Sequence, residues 1–157
     1  MDVVFKTERA VFNYRVAGIW IVDDRVLLHK AVNERHWSLT GGRVEIAEEA
    51  KESIKREFLE ELDVDISVNR LVWIAENFFE YNGMDIHELG LYFSVSSNPH
   101  PYAINSTPFY GMEGERLMYR WTPIEEIGNV ELYPEFLRGE MSHLPNDTHH
   151  IVQRQYR

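Results

Sequence analysis

The 157-residue sequence contains no cysteine. Disulfides and thiolate metal sites are therefore excluded, and a reducing cytoplasm is the expected setting. No apolar run approaches the roughly 18–20 residues that span a bilayer. The segment Met1–Lys6 shows no basic stretch followed by a long apolar one, so neither a membrane segment nor a signal peptide is expected. Basic charge is scarce as well: 16 Lys and Arg stand against 26 Asp and Glu, a net charge of -10. Such a surface does not grip a phosphate backbone, and stable nucleic-acid binding is not expected. The acidity serves solubility, or is gathered in part to hold a cation. The Asn-x-Thr sequences at Asn105 and Asn146 mean nothing without secretion.

What is present is the material of a core. Hydrophobic residues make up 44% of the chain and aromatics 13%, which argues against disorder. With no repeat, linker or low-complexity stretch, one domain over residues 1–157 is expected. Val16–Val22 and Val26–Leu28, broken by Asp23-Asp24-Arg25, predict a hairpin. Trp37–Thr40 predicts a short strand ending at Gly41-Gly42. Arg70–Phe79 and Met84–Val95 flank Asn82-Gly83, a strong turn signal. Ser96–Gly114 carries three prolines and two glycines and reads as a long loop. After a strand at Leu117–Trp121, Thr122-Pro123-Ile124-Glu125 fits a helix start with Thr122 as N-cap and Glu125 as its capping-box partner. Leu132, Phe136, Leu137 and Met141 suggest a further helix, with Pro134 in its first turn. His150-Ile151-Val152 reads as a final strand or a loose tail. The sum is an α+β or sandwich-like domain.

The segment from Glu49 to Leu62 is the informative one. At 100° per residue, Ala50, Ile54, Phe58 and Leu62 form one apolar stripe, and Glu57, Glu60 and Glu61 fill a neighbouring arc of about 100°. The three carboxylates then sit beside the buried seam, where like charges repel. A shared proton or a bound cation relieves the repulsion. The set suits a hard ion such as Mg²⁺ or Mn²⁺ better than zinc, because it offers only oxygen. Taken alone, the trio favours an ordinary solvated Glu-rich helix, and Glu52 with Arg56 forms an ordinary (i, i+4) pair.

The surrounding residues change that reading. Gly42 is followed by five residues and Glu48. Seven more lead to Arg56-Glu57-Phe58-Leu59-Glu60-Glu61-Leu62-Asp63-Val64. This stretch resembles the signature of the Nudix hydrolase family, with Asp63 in place of the usual glycine. Chance agreement is on the order of one in 10⁶ per window. Asp tolerates the left-handed conformation that a residue after a helix end adopts. Thr40 stands where many relatives have Pro, and Ala47-Glu48-Glu49 lacks their usual Gly and Ser or Thr cap. Both changes bear on loop stiffness more than on ligand identity.

The resemblance implies a Nudix-like α/β/α sandwich with a mixed and antiparallel sheet and a catalytic loop-helix-loop. It implies metal-dependent hydrolysis of a phosphoanhydride bond in a nucleoside diphosphate linked to another moiety. Nucleoside triphosphates, nucleotide sugars, ADP-ribose and dinucleoside polyphosphates are the substrate classes. Glu57, Glu60 and Glu61 would bind Mg²⁺ or Mn²⁺, the Gly41 carbonyl would complete the shell, and Glu48 and Arg56 would orient the helix. Glu113 and Glu115, bordering the long loop, are alternative general bases to the helix glutamates. Arg15, Lys30 and Arg43 are the basic residues near strand ends that could meet phosphates, Arg15 foremost because it enters the first strand. Trp37, Phe78, Phe79 and Tyr81 could stack on a base. His149-His150 is assigned no metal. The alternative is a Nudix-fold module that senses a nucleotide without cleaving it. A homodimer is compatible with either.

Overall fold

The computed structural model describes residues 1–97 and 104–155. In chain order the elements are β1 (Val4–Lys6), β2 (Ala10–Val22), β3 (Arg25–Ala31), β4 (Ser38–Leu39), β5 (Gly41–Arg43) and α1 (Ala50–Leu62). They continue with β6 (Ser67–Tyr81), β7 (Met84–Ser96), β8 (Phe109–Tyr110), β9 (Leu117–Pro123), α2 (Phe136–Glu140) and β10 (His149–Gln155). Short 3-10 segments cover Gly114–Arg116 and Ile124–Asn129.

Both expected hairpins form on two-residue turns. Asp23 and Asp24 have φ of 50° and 59°, and Asn82 and Gly83 have 51° and 75°. Turns of this hand match the twist of the strands they join. Arg25 already belongs to β3, so the first turn is one residue tighter than the sequence suggests.

The strand order is β10-β6-β7-β2-β3-β9-β8. The pairs β6/β7 and β3/β9 are antiparallel, whereas β2/β7 and β10/β6 are parallel. Contact between β2 and β3 is confined to Ile21↔Val26 and Val22↔Arg25. Beyond those pairs the sheet splits. β5 lines one lip by pairing with Arg15–Ala17, and β4 lines the other by pairing with Leu28 and His29.

Alternation along the strands builds a core on each face of the sheet. Val16 and Trp20 of β2 pack with Ile54, Phe58 and Leu62 of α1. Ile19, one residue out of phase, packs with Ile127, Leu137 and Met141 on the opposite face. The result is an α/β/α sandwich. Each fully buried Leu, Ile or Phe contributes about 1.5–3 kcal/mol before the entropy of ordering it is subtracted.

Three expectations change, and one alternative is decided. Thr122 is the penultimate residue of β9, because the ladder with β3 runs on to Arg25↔Pro123. Its hydroxyl accepts a hydrogen bond from Arg120 Nε at 3.1 Å, and the 3-10 segment after it has no side-chain cap. The C-terminal helix begins only at Phe136, leaving Leu132 and Pro134 ahead of it. The long loop contains β8, which pairs with Tyr119 and Met118, while residues 98–103 lie outside the described residues. The tail is a true strand, β10, in parallel register with Trp73–Phe79.

Candidate functional site

α1 lies where its stripe demands, with Ile54, Phe58 and Leu62 buried against the sheet. Asp63 ends it in the left-handed conformation, φ 56° and ψ 38°, and its N–H donates to the Leu59 carbonyl. Ala47, before the helix, also has a positive φ of 64°. The N-cap Glu49 makes no side-chain cap. Two glycines let β5 sit tight. A Cβ on Gly41 would lie 2.0 Å from the Val16 carbonyl oxygen, and one on Gly42 would lie 2.4 Å from the Glu57 carboxylate carbon.

The three glutamates differ in depth. The Glu61 side chain is 9% exposed, Glu57 13% and Glu60 57%, so only two lie beside the seam. Tyr119 of β9 donates its hydroxyl proton to Glu61 Oε2 at 3.1 Å. His29 Nδ1 stands 3.9 Å from the same oxygen and has no hydrogen-bond partner among the described residues. Arg56 grips both oxygens of Glu48, through Nε at 2.7 Å and Nη2 at 3.0 Å. Its Nη1 donates to Glu57 at 3.0 Å and Glu60 at 3.3 Å, and Nη2 also reaches the Arg43 carbonyl at 3.3 Å. The guanidinium is thus taken by Glu48, Glu57 and Glu60, and not by Glu52 as the helical spacing suggests. Glu48 in turn accepts the Glu45 N–H at 3.1 Å, which ties the loop to the helix.

Burial governs the charge states. It pushes the Glu61 carboxyl up to about 8, helped by the charge of Glu57. Burial also raises Glu57, partly offset by Arg56, and the two carboxyls share a hydrogen bond. The Arg56 hydrogen bonds hold Glu48 down to about 2. Desolvation first, then Arg15 and Arg116, lowers His29 to about 3, so its ring is neutral.

Among the described residues no three His, Asp or Glu side chains converge at metal-ligand spacing. The chemistry of the donors nevertheless fits a hard cation. Glu57 and Glu61 present two adjoining, partly desolvated carboxylates whose mutual repulsion a positive ion would remove. Glu60 joins them only by exchanging Arg56 for that ion. Gly41, the carbonyl donor named from sequence, lies on β5 opposite Ala17. Glu113 is ion-paired with Arg116, and Glu115 is exposed in the adjacent 3-10 turn. That segment does touch the helix: Met112 N–H donates to the Glu61 carbonyl at 2.7 Å.

The expected substrate residues fall on the other face. Arg15 and Arg43 are register partners and project together, one residue out of phase with Val16 and Gly42. Arg15 lies within β2, five residues past its start, and stands 3.9 Å from Glu88. A cleft of about 750 Å³ opens here through the split in the sheet. Phe79 and Tyr81 line it. Phe78 does not: it stacks on His87 and carries Arg154 over its other side. Trp37 is buried in the second core beneath Lys30 and Arg120. Lys30 donates to the Glu34 carbonyl at 3.0 Å and is not brought to the glutamates. The sequence reading missed Tyr119, His29 and the cleft residues Asn77, Tyr133 and Gln155. Strand alternation places Tyr119 and Trp121 together once the helix-covered face is known, but nothing local marks that face.

Residues 13–143 match the family model of the NUDIX domain. The chain belongs to the NUDIX family, and its class is that of a Nudix-type pyrophosphohydrolase. Among solved structures, a NUDIX hydrolase from Nitrosomonas europaea superposes with a TM-score of 0.64 at 17% identity, covering 96% of this chain and 82% of that one. A MutT protein from Bacillus halodurans gives 0.59 at 19% identity, covering 89% and 90%. An ADP-ribose pyrophosphatase from Streptococcus suis gives 0.57 at 15%, covering 89% and 98%. At such identities the likeness is one of fold. A search of curated proteins returns no match.

Proposed function

We propose that this chain hydrolyses a phosphoanhydride bond in a nucleoside diphosphate linked to another moiety, using Mg²⁺ or Mn²⁺ held by Glu57, Glu60 and Glu61. The observation that carries the reading is the pair Glu57 and Glu61, partly desolvated together behind Gly42 with both carboxyl pKa values raised. Burying two like charges side by side costs stability, and a cation site explains why the sequence bears that cost.

A divalent ion there would neutralise phosphate charge and lower the pKa of the attacking water. The chain's residues do the rest. Arg56 and Glu48 fix the helix to its loop, so the glutamates keep their direction. Tyr119 holds one Glu61 oxygen in place. Arg15 and Arg43, on the far lip of the split, meet the phosphates as they pass through it. The Gly41 carbonyl is the remaining oxygen donor of the set. A glutamate of the helix is the base for the water, and Glu113 and Glu115 are the alternatives on the segment that touches the helix end.

The test is product analysis on nucleoside triphosphates, nucleotide sugars, ADP-ribose and dinucleoside polyphosphates. A nucleoside monophosphate or pyrophosphate should be released only with Mg²⁺ or Mn²⁺ present. Glu60→Gln and Glu61→Gln should each lower the rate by orders of magnitude in folded protein. Near-normal turnover in both would remove the helix from the mechanism.

A further inference from the structure

The cleft continues past Arg15 to the far edge of the sheet, where β10 forms its wall. β10 follows residue 143, where the match to the family model ends. It pairs with β6 through Gln155↔Phe79 and Gln153↔Asn77, and it brings Arg154 and Gln155 to the cleft lining. Gln155 Nε2 donates to Asn77 Oδ1 at 3.1 Å. Asn77 is only 4% exposed, a depth at which an amide needs hydrogen-bond partners.

That one bond leaves capacity unused. An Asn amide has two N–H donors, and a Gln carbonyl oxygen has two acceptor sites. Among the described residues, neither Asn77 Nδ2 nor Gln155 Oε1 has another partner. The pair therefore presents a donor and an acceptor side by side in a cleft. Phe79 and Tyr81 follow Asn77 at spacings of two and four along β6 and share its face, and Tyr133 lines the cleft too. Flat apolar surface next to an amide edge suits a planar heterocycle with adjoining acceptor and donor atoms. A second phosphate suits it poorly, because Glu80, Glu88, Glu131 and Glu135 outnumber Arg15 and Arg154 along the lining.

We infer that Asn77 and Gln155 read the hydrogen-bonding edge of a nucleobase, and so set which nucleotide this chain accepts. The inference rests on the proposed reaction only for the kind of ligand; binding tests it without turnover. The probes are AMP, GMP, CMP and UMP, with ribose 5-phosphate as the base-free control, observed through the side-chain amide NMR signals of Asn77 and Gln155. At least one nucleotide should shift both signals, and ribose 5-phosphate should not. Gln155→Leu, at a half-exposed position that tolerates an apolar residue, should weaken that nucleotide by about ten- to a hundredfold and leave ribose 5-phosphate unchanged. Asn77→Asp, which replaces a donor by an acceptor, should reorder the preference among the four bases. Equal shifts with ribose 5-phosphate, silence with all four nucleotides, or an unchanged base preference in Gln155→Leu would each overturn the inference. Loss of hydrolysis with base-selective binding intact would overturn the reaction instead.

Discussion

Gly42 stands so close to Glu57 that the carboxylate occupies the space a Cβ would need, 2.4 Å from the carboxylate carbon. The contact joins the loop to the helix at the point where the charge is densest.

Gly42→Ala should therefore displace Glu57 rather than unfold the protein. A shift of about 1 Å in a reacting group costs on the order of 10²-fold in rate. We expect a loss of that size in kcat/KM, together with weaker Mn²⁺ binding measured by calorimetry. Wild-type Mn²⁺ affinity in folded Gly42→Ala would show that Glu57 is not a ligand.

The pH dependence of the metal-free protein should have two limbs. Glu61 binds its proton more tightly folded, near 8, than unfolded, near 4.5. Its contribution to stability is therefore full below about 4.5 and is lost as pH rises to about 8. Glu48 does the reverse: folded near 2, it contributes above about 4.5 and is lost as pH falls towards 2. Thermal melts from pH 3 to 9 should show a fall on the alkaline side that Glu61→Gln removes. Saturating Mg²⁺ should remove it too, since the ion displaces the proton and binds more tightly as pH rises. A flat alkaline limb in the wild type would contradict the burial assigned to Glu61.

Arg56→Lys keeps the charge but loses the fork that grips both oxygens of Glu48. We expect a destabilisation of about 1–2 kcal/mol, read from urea unfolding, since both groups are partly buried. Glu48→Gln should cost a similar amount, and the double variant much less than the sum. Additive losses would mean that the two side chains act separately.

Asp63→Gly and Ala47→Gly relax the two left-handed residues that flank α1. Relief of the Cβ clash, less the added freedom of the unfolded chain, should stabilise each by about 0.5–1 kcal/mol. Asp63→Gly also removes a negative charge from a helix C-terminus, where it is unfavourable. Melting temperatures should rise by about 1–4 °C per variant. A fall in either would mean that the side chain makes a contact worth more than its strain.

The placement of the signature residues was legible because it depends on spacing along one helix and one loop, and a helix preserves spacing. Asp63 was legible for the same reason. The faces of the sheet were not. Whether Arg15 or Val16 shares a side with Glu57 depends on which face α1 covers, and that is settled by the packing of Phe58 against Gly18 and Trp20. Lys30 was a candidate by strand position alone, and strand position does not reveal that it lies over Trp37 and donates to the Glu34 carbonyl. Thr122 looked like a cap because its local sequence is that of a cap; the ladder with β3 outweighed it. The cleft joins residues from Arg15 to Gln155, and no local pattern announces contacts so distant in the chain.

The split between β2 and β3 divides labour in a way that bears on how such a protein changes over generations. The carboxylates on α1 and in the loop before it are tied to one another and to Arg56, so an altered residue there disturbs several charges at once. The cleft on the opposite face is lined by side chains from five strands and the segment before α2, few of which touch that network. Replacements there are free to accumulate one at a time. On the proposed reading, such a chain can drift from one nucleotide to another while the residues of its helix stay fixed.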